Sequence, residues 1–365
     1  MLLKNKKQEY KQEYKDAMIK PVFRFIIKIA VFFIFFNNLY AETEIDFPDI
    51  IAQDPTLLSG VQEYVDDYDK YSGIFIKYYS PAVLLTTHLT SPVGKDNIGS
   101  FPGFYLGFAT GVSFANSQAI RSQAAEKISD AGTPEILPAL ALSINMGLGI
   151  TPKWDVRASF FPTVSMDLGR TNGSDLSLRY GHFKIRSMYN VYPSSFLKPG
   201  LSIGGFFIYN RGRVTVKSDL LEETPGFSLG DIGGHSYTMT DFHYTIDTSA
   251  GWQYFGLGPE IKAWFDLEFV MAYVGYGISF QFGRLGIDLT GNIEKMTIGS
   301  TAGSLNGDYT GGSFRVYNTK VPAIAQQRLI AGGEIRFLFV SLVAEIQFDI
   351  SNRLTGLTLG AASYF

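Results

Sequence analysis

The chain has 365 residues, 46% hydrophobic and only 18% charged, with 38 Gly, 30 Phe, 21 Tyr and no Cys. Without cysteine there is no disulfide framework, thiolate metal site, cysteine nucleophile or lipid anchor on an N-terminal Cys, and a formal charge of -3 lacks the basic surplus of a nucleic-acid binder. Charge well below the roughly 25% of soluble domains, and Gly above its usual share of about 7%, fit a chain that faces two solvents.

Residues 1–17 are polar, and Met18 opens a stretch with the layout of a secretory signal. Lys20, Arg24 and Lys28 form a basic region, Ile29 to Phe36 an apolar run, and a polar segment ends at Ala41. Eight uninterrupted apolar residues are too few for a spanning helix, which needs about 20. Residues 1–41 are therefore expected to be an export signal cleaved after Ala41, with Met18 an alternative start that leaves 1–17 as an extension. Residues 42–100 form a separate segment. Within 55–71, Leu57, Leu58, Val61, Tyr64, Val65 and Tyr68 recur at helical spacing among Asp66, Asp67 and Asp69, which predicts an amphipathic helix. It either caps the rim of the following domain or plugs it. A second helical patch is expected over 117–129.

From 101 to 365 the repeating signal is alternation. Between Glu260 and Met271, Ile261, Ala263, Phe265, Leu267, Phe269 and Met271 face one way, and Glu260, Lys262, Asp266 and Glu268 face the other. Strands with that period line two faces of one sheet. The pattern returns around 153–160, 284–290, 328–337 and 341–350. Candidate strands fall near 102–115, 136–150, 153–168, 176–191, 199–217, 240–256, 258–269, 271–283, 284–298, 322–338, 339–350 and 354–365. Many match the 9–11 residues of a bilayer-crossing strand. Tyr and Phe gather near strand ends, as at Tyr189/Tyr192, Phe207/Tyr209 and Tyr254/Phe255, where rings seek the headgroup level. Short turns are expected at 150–153, 192–199, 282–285 and 351–356, and long polar connections at 219–240 and 294–321. The fold class predicted is all-β: a transmembrane antiparallel β-barrel of about 12 strands, range 10–14, with a short helical N-terminal extension.

In such a barrel the charged face looks inward, because a Lys or Arg on the lipid face costs roughly 2–4 kcal/mol at the midplane. The lumen-facing set is Lys153, Arg157, Glu260, Lys262, Asp266, Glu268, Arg328, Glu334, Arg336, Glu345 and Asp349. Both signs are present, so these groups either pair across the interior or line a wet channel. The four histidines, His88, His182, His235 and His243, give no catalytic or metal-ligand spacing. His235 and Ser236 are adjacent and point apart in an extended loop, a poor geometry for a nucleophile and its base. No catalytic residue, metal or cofactor is expected.

The chain ends TGLTLGAASYF, with Leu357, Leu359, Ala361, Ser363 and Phe365 on one face. This resembles the C-terminal signal of bacterial outer-membrane barrels, which implies the barrel-assembly machinery as a partner and Leu357, Leu359 and Phe365 as the assembly signal. Over about 78–365, segments such as YYSPAVLLTTHLTSPVG and GFYLGFATGVSFA resemble an uncharacterised family of outer-membrane barrel proteins. The low charge also suggests fatty-acid and aromatic-hydrocarbon transporter barrels, though their specific motifs are missing. These resemblances imply the fold and location in the cell outer membrane, in contact with outer-membrane lipid, but give no substrate. Passage or uptake of a small-molecule ligand, hydrophobic ones included, is expected from the many aromatic residues and an N-terminal plug, and no nucleic acid is expected from the charge. The alternative is a surface-exposed structural or adhesive barrel whose long loops bind a partner.

Overall fold

The structure, a computed structural model, describes residues 42–46, 55–92, 94, 98, 103–116, 118, 120, 122, 137–171, 174–194, 198–222, 227–232, 235–300, 307–309, 312–321 and 325–365. The expected export signal over 1–41 and nearly all of the expected helix over 117–129 lie outside them. In chain order the elements are β1 (Glu42–Asp46), α1 (Pro55–Leu89), β2 (Gly103–Ala115), β3 (Leu137–Thr151), β4 (Trp154–Thr171), β5 (Ser174–Tyr192), β6 (Gly200–Glu222) and β7 (Phe227–Ile232). They continue as β8 (His235–Asp266), β9 (Val270–Ser300), β10 (Gly307–Tyr309), β11 (Ser313–Lys320), β12 (Ala325–Phe337), β13 (Val340–Asp349) and β14 (Leu354–Tyr364).

Every pairing is antiparallel. The order β9-β12-β13-β14-β2-β3-β4-β5-β6-β8 returns to β9, closing a ring of ten strands. Closure leaves no open edge in that ring, as a bilayer demands. The seam between the last strand and the first is paired from Gly356 opposite Ser113 to Tyr364 opposite Tyr105 and ends with Phe365 N–H on Phe104 O at 2.9 Å and Phe104 N–H on Phe365 O at 3.0 Å. β1 adds an eleventh strand outside the ring, paired along β11.

Ten corrects the expected twelve, for a local reason. Segments 240–256 and 258–269 are one strand, β8, and 271–283 and 284–298 are one strand, β9. The turn expected at 282–285 is continuous strand. Gly283 sits there at φ 139°, where a Cβ would overlap the Gln253 carbonyl, so glycine marks a close crossing of strands and not a reversal. β11 and β12 likewise follow one register along β9, with Lys320 opposite Leu285 and Ala325 opposite Phe280.

The alternation seen in the sequence becomes inside and outside. Along β13, Leu342, Ile346 and Phe348 are exposed while Ser341, Glu345, Gln347 and Asp349 are buried. The exposed large side chains form a belt around the wall, including Phe108, Leu140, Phe183, Phe207, Val274, Phe337 and Leu359. From Val340 to Ile350 that belt runs about 33 Å along the strand, or about 25 Å of height at a tilt near 40°. An apolar exterior of that height around a polar interior belongs in hydrocarbon. Among the described residues no helix is long and apolar enough to cross a membrane; the strands do the crossing.

One rim carries the short turns at 152–153, 267–269 and 338–339, the connection from β5 to β6, and Phe365. The other carries the longer connections and also the 350–353 turn, which the sequence had grouped with the short ones. β6, β8 and β9, with 23, 32 and 31 residues, run far past the belt on that second side. The connections expected at 219–240 and 294–321 are largely strand there (the ends of β6, β8 and β9, with β7, β10 and β11). Their sequence is polar and carries no sustained apolar alternation, so periodicity does not betray them as strand.

Candidate functional site

The interior is occupied by α1, 35 residues long. The sequence had read only its first half as helix. Residues 72–89 escaped because burial on several sides replaces the one-sided apolar stripe; from Ala82 to Leu89 every residue is buried. Asn318 of β11 donates to the Asp69 carbonyl at 3.1 Å on the long-connection side. From there the helix descends, and the chain continues past Gly94 and Ile98 to β2 at the short-turn rim.

Ile76, Val83, Leu84, Leu85 and Leu89 are buried against Ala115, Ala139, Tyr254, Leu285, Ile287 and Leu354 of the wall. Each such side chain contributes roughly 1.5–3 kcal/mol relative to exposure in water. Contact is closest at the β2–β14 seam. A Cβ on Gly111 would overlap Leu89 Cβ and stand 3.2 Å from its carbonyl carbon and oxygen, and one on Gly356 would overlap Leu89 Cδ1. Two hydroxyls on α1 and one just after it turn back onto the helix: Thr86 on Ala82 O (2.8 Å), Thr87 on Leu84 O (2.6 Å) and Thr90 on Thr87 O (2.9 Å).

A helix end leaves carbonyls unpaired and carries partial negative charge. Here the barrel wall caps them. Lys184 Nζ donates to His88 O at 3.1 Å, Thr358 to Leu89 O at 2.9 Å, and Ser159 to Thr90 O at 3.1 Å. Ser143 also donates to Thr90 O, and Lys262 Nζ to Gly94 O. Higher up, Ser113 donates to Ala82 O at 2.6 Å and meets the Thr86 hydroxyl. α1 and the chain just after it are thus fastened to six strands, β2, β3, β4, β5, β8 and β14.

Below the helix end lies a layer of charge. Among the described residues, five buried cations (Arg157, Lys184, Arg186, Lys262, Arg328) meet five buried anions (Asp155, Glu260, Glu334, Glu345, Asp349). Glu260 is its centre, 2.8 Å from Arg186 and 3.8 Å from Arg328. Arg328 reaches Gln347 at 2.7 Å, Gln347 donates to Glu345 at 2.6 Å, and Tyr273 donates to Glu345 at 2.8 Å. Arg157 lies 3.5 Å from Asp155. At the short-turn rim Arg336 bridges Asp266 (2.8 Å) and Glu334 (3.0 Å). Pairs this buried repay much of their own desolvation and add little net stability; what they do is neutralise and close the bottom of the lumen.

Of the charges named from the sequence, Arg157, Glu260, Lys262, Arg328, Glu334, Glu345 and Asp349 are buried inside, while Asp266 and Arg336 are partly buried at the rim. Lys153 and Glu268 are exposed in turns, Glu268 at φ 65°. Alternation was carried one residue too far into those reversals. Lys184 and Arg186 were missed, although they alternate with Phe183 and Ile185 in the same way. His182 also points inward: Nε2 is 3.3 Å from Ser159 Oγ and Nδ1 is 3.1 Å from Tyr180 OH. Ser159 Oγ already serves Thr90 O, so the trio acts as a fastener under α1. The side chains of His235, Ser236 and His243 lie outside the described ones. Of the C-terminal set, Leu357, Leu359 and Phe365 are exposed on the outer face.

No protein-family model matches the chain, and no curated protein matches it. Among solved structures, the translocator domain of autotransporter NalP from Neisseria meningitidis is similar at 9% identity and TM-score 0.33, covering 80% of this chain and 99% of that one. Outer membrane protease OmpT from Escherichia coli matches at 10% identity and TM-score 0.30, covering 73% and 97%. The toluene transporter TbuX of Ralstonia pickettii matches at 10% and 0.25, covering 73% and 89%. The class rests on the chain's own geometry. A closed ten-stranded ring, apolar outside and charge-paired inside, defines an outer-membrane β-barrel with an internal helix.

Proposed function

We propose that the protein is a gated passage for small molecules across the outer membrane, with α1 as the gate. The wall that α1 covers carries this reading. Above, it offers an apolar patch around Tyr254, Leu285 and Ile287; below, it offers Ser113, Ser143, Asn145, Ser159, Gln281 and Thr358. With α1 docked, Ser113, Ser143, Ser159 and Thr358 are taken up by carbonyls of α1 and Thr90; with α1 withdrawn, these hydroxyls would be free to face water. Withdrawal of α1 would leave a two-character lining suited to small amphipathic solutes. The many aromatic residues, which from composition argued for hydrophobic cargo, lie mainly on the lipid-facing belt.

The natural absence of cysteine makes the test clean. Thr86 and Ser113 touch across the helix–wall contact, so a Thr86→Cys, Ser113→Cys pair should cross-link α1 to β2. In planar bilayers and in liposome swelling with amphipathic solutes, the oxidised protein should be silent and the reduced protein should open. Equal silence in both states, with the barrel folded, would count against passage.

A second reading draws on the projecting sheet. Strands three times the length needed to cross a bilayer place an ordered surface well outside the membrane, suited to a macromolecular partner. Trimming β8 and β9 to the belt while keeping α1 would abolish such binding and spare any conductance.

A further inference from the structure

Just beyond the belt, on the outer wall at the long-connection side, four arginines converge. Arg179 of β5 stands directly opposite Arg213 of β6, and Arg213 opposite Gly251 of β8. One row closer to the belt, Arg211 of β6 is opposite Gln253 of β8, and Gln253 is opposite Arg284 of β9. All four side chains are exposed and border one cavity of about 220 Å³. Its floor is bare, because Gly251 and Gly286, facing each other across β8 and β9, carry no side chains.

This arrangement is costly by itself. Like charges directly opposite on neighbouring strands repel, and among the described residues none of the four has a carboxylate partner. The nearest acid in the cavity, Asp288, is held by Arg315 through two bonds of 2.9 and 2.8 Å. Higher still, Lys217 and Asp247 pair at 3.5 Å. The row on the belt side is aromatic, with Tyr209 and Phe255 rings 4.8 Å apart. Rings of this kind sit at the boundary between acyl chain and headgroup. The arginines therefore stand at headgroup height in the leaflet on the long-connection side, facing lipid and not the lumen.

We propose that this cluster is a binding site for the phosphate groups of a phosphorylated glycolipid in that outer leaflet. Guanidinium groups grip phosphate oxygens in paired, charge-assisted bonds. An anion between Arg179 and Arg213 would turn their repulsion into a clamp, while acyl chains lie along Tyr209, Phe255 and the belt below. A soluble anion would have no use for that apolar continuation, which is why a lipid is the occupant. The site is independent of any movement of α1.

The test uses the full-length protein in nanodiscs containing bisphosphorylated lipid A, the same lipid with its phosphates removed, or no glycolipid but added inorganic phosphate. Native mass spectrometry and thermal unfolding are read together. The protein should retain the phosphorylated glycolipid selectively and gain thermal stability from it. Arg179→Gln with Arg213→Gln should weaken retention by roughly tenfold per arginine. In lipid-free detergent the same double variant should unfold at an equal or higher temperature, since a repulsion has been relieved. Lys217→Gln, higher on β6 and outside the cavity lining, is the control and should leave retention unchanged. Equal retention of the dephosphorylated lipid, indifference to the double variant, or full occupancy by inorganic phosphate alone would each overturn the proposal.

Discussion

Two glycines contact the same leucine, yet the structure separates their mutants. At Gly111 an added methyl would meet Leu89 Cβ and stand 3.2 Å from the carbonyl carbon and oxygen of Leu89, which are helix backbone. At Gly356 it would meet Leu89 Cδ1 and approach Leu85 Cδ2 to 3.3 Å, both ends of rotatable side chains, while the backbone it nears, Val112 O at 3.2 Å, belongs to β2 and not to the helix. Gly111→Ala can therefore be accommodated only by moving α1 off the wall, whereas Gly356→Ala can be absorbed by new leucine rotamers. Overpacking without a rotamer escape costs about 1–3 kcal/mol. Charged to the docked state of α1, this raises the undocked population roughly 5- to 150-fold. Single-channel recording should show openings in Gly111→Ala at least several times more frequent than in the parent. Gly356→Ala should fall near the parent, and so should Gly333→Ala, which faces lipid with only an ordinary 3.4 Å contact to Met271 O. If Gly111→Ala and Gly356→Ala behave alike, or if Gly111→Ala is silent with unchanged thermal stability, the helix is not clamped by that seam and the reasoning is wrong.

Other outcomes follow from the same contacts. Lys184→Met removes the cap on His88 O and about 1–3 kcal/mol of charge-assisted bonding. A Thr90→Cys reporter, fully buried in the parent, should then react with a membrane-impermeant maleimide many times faster. Glu260→Ala leaves Arg186 and Arg328 both short of their acid and should cost about 3–5 kcal/mol in urea unfolding. Arg186→Ala should cost less, because Arg328 still faces Glu260; the reverse order would contradict the placement of Glu260 at the centre of the layer. Deleting Phe365 removes the last two hydrogen bonds of the β14–β2 ladder, while Phe365→Ala keeps them. If the terminal ring is read by the assembly machinery, both variants should assemble poorly; if backbone closure alone matters, only the deletion should lose heat-modifiable barrel on gels.

The sequence by itself determined which face of each crossing strand meets lipid. Side chains alternate with strict period two, and hydrocarbon tolerates no charge, so Leu342, Ile346 and Phe348 could be assigned outward and Glu345, Gln347 and Asp349 inward without coordinates. It also carried the charge layer in part, with Arg157, Glu260, Lys262 and Arg328 legible from alternation alone. Strand number was not legible, because Gly258-Pro259 and Gly283-Arg284 are chemically the same whether a chain turns or crosses a neighbour closely. Nor was the projecting sheet, whose polar sequence over 219–240 and 294–321 carries no sustained alternation. Only the tertiary structure decided that α1 runs through the barrel, because the side chains of 72–89 say that they are buried but not by what. The arginine cluster is likewise invisible in one dimension: Arg179, Arg213 and Arg284 lie far apart along the chain, and only strand register sets them around one hollow.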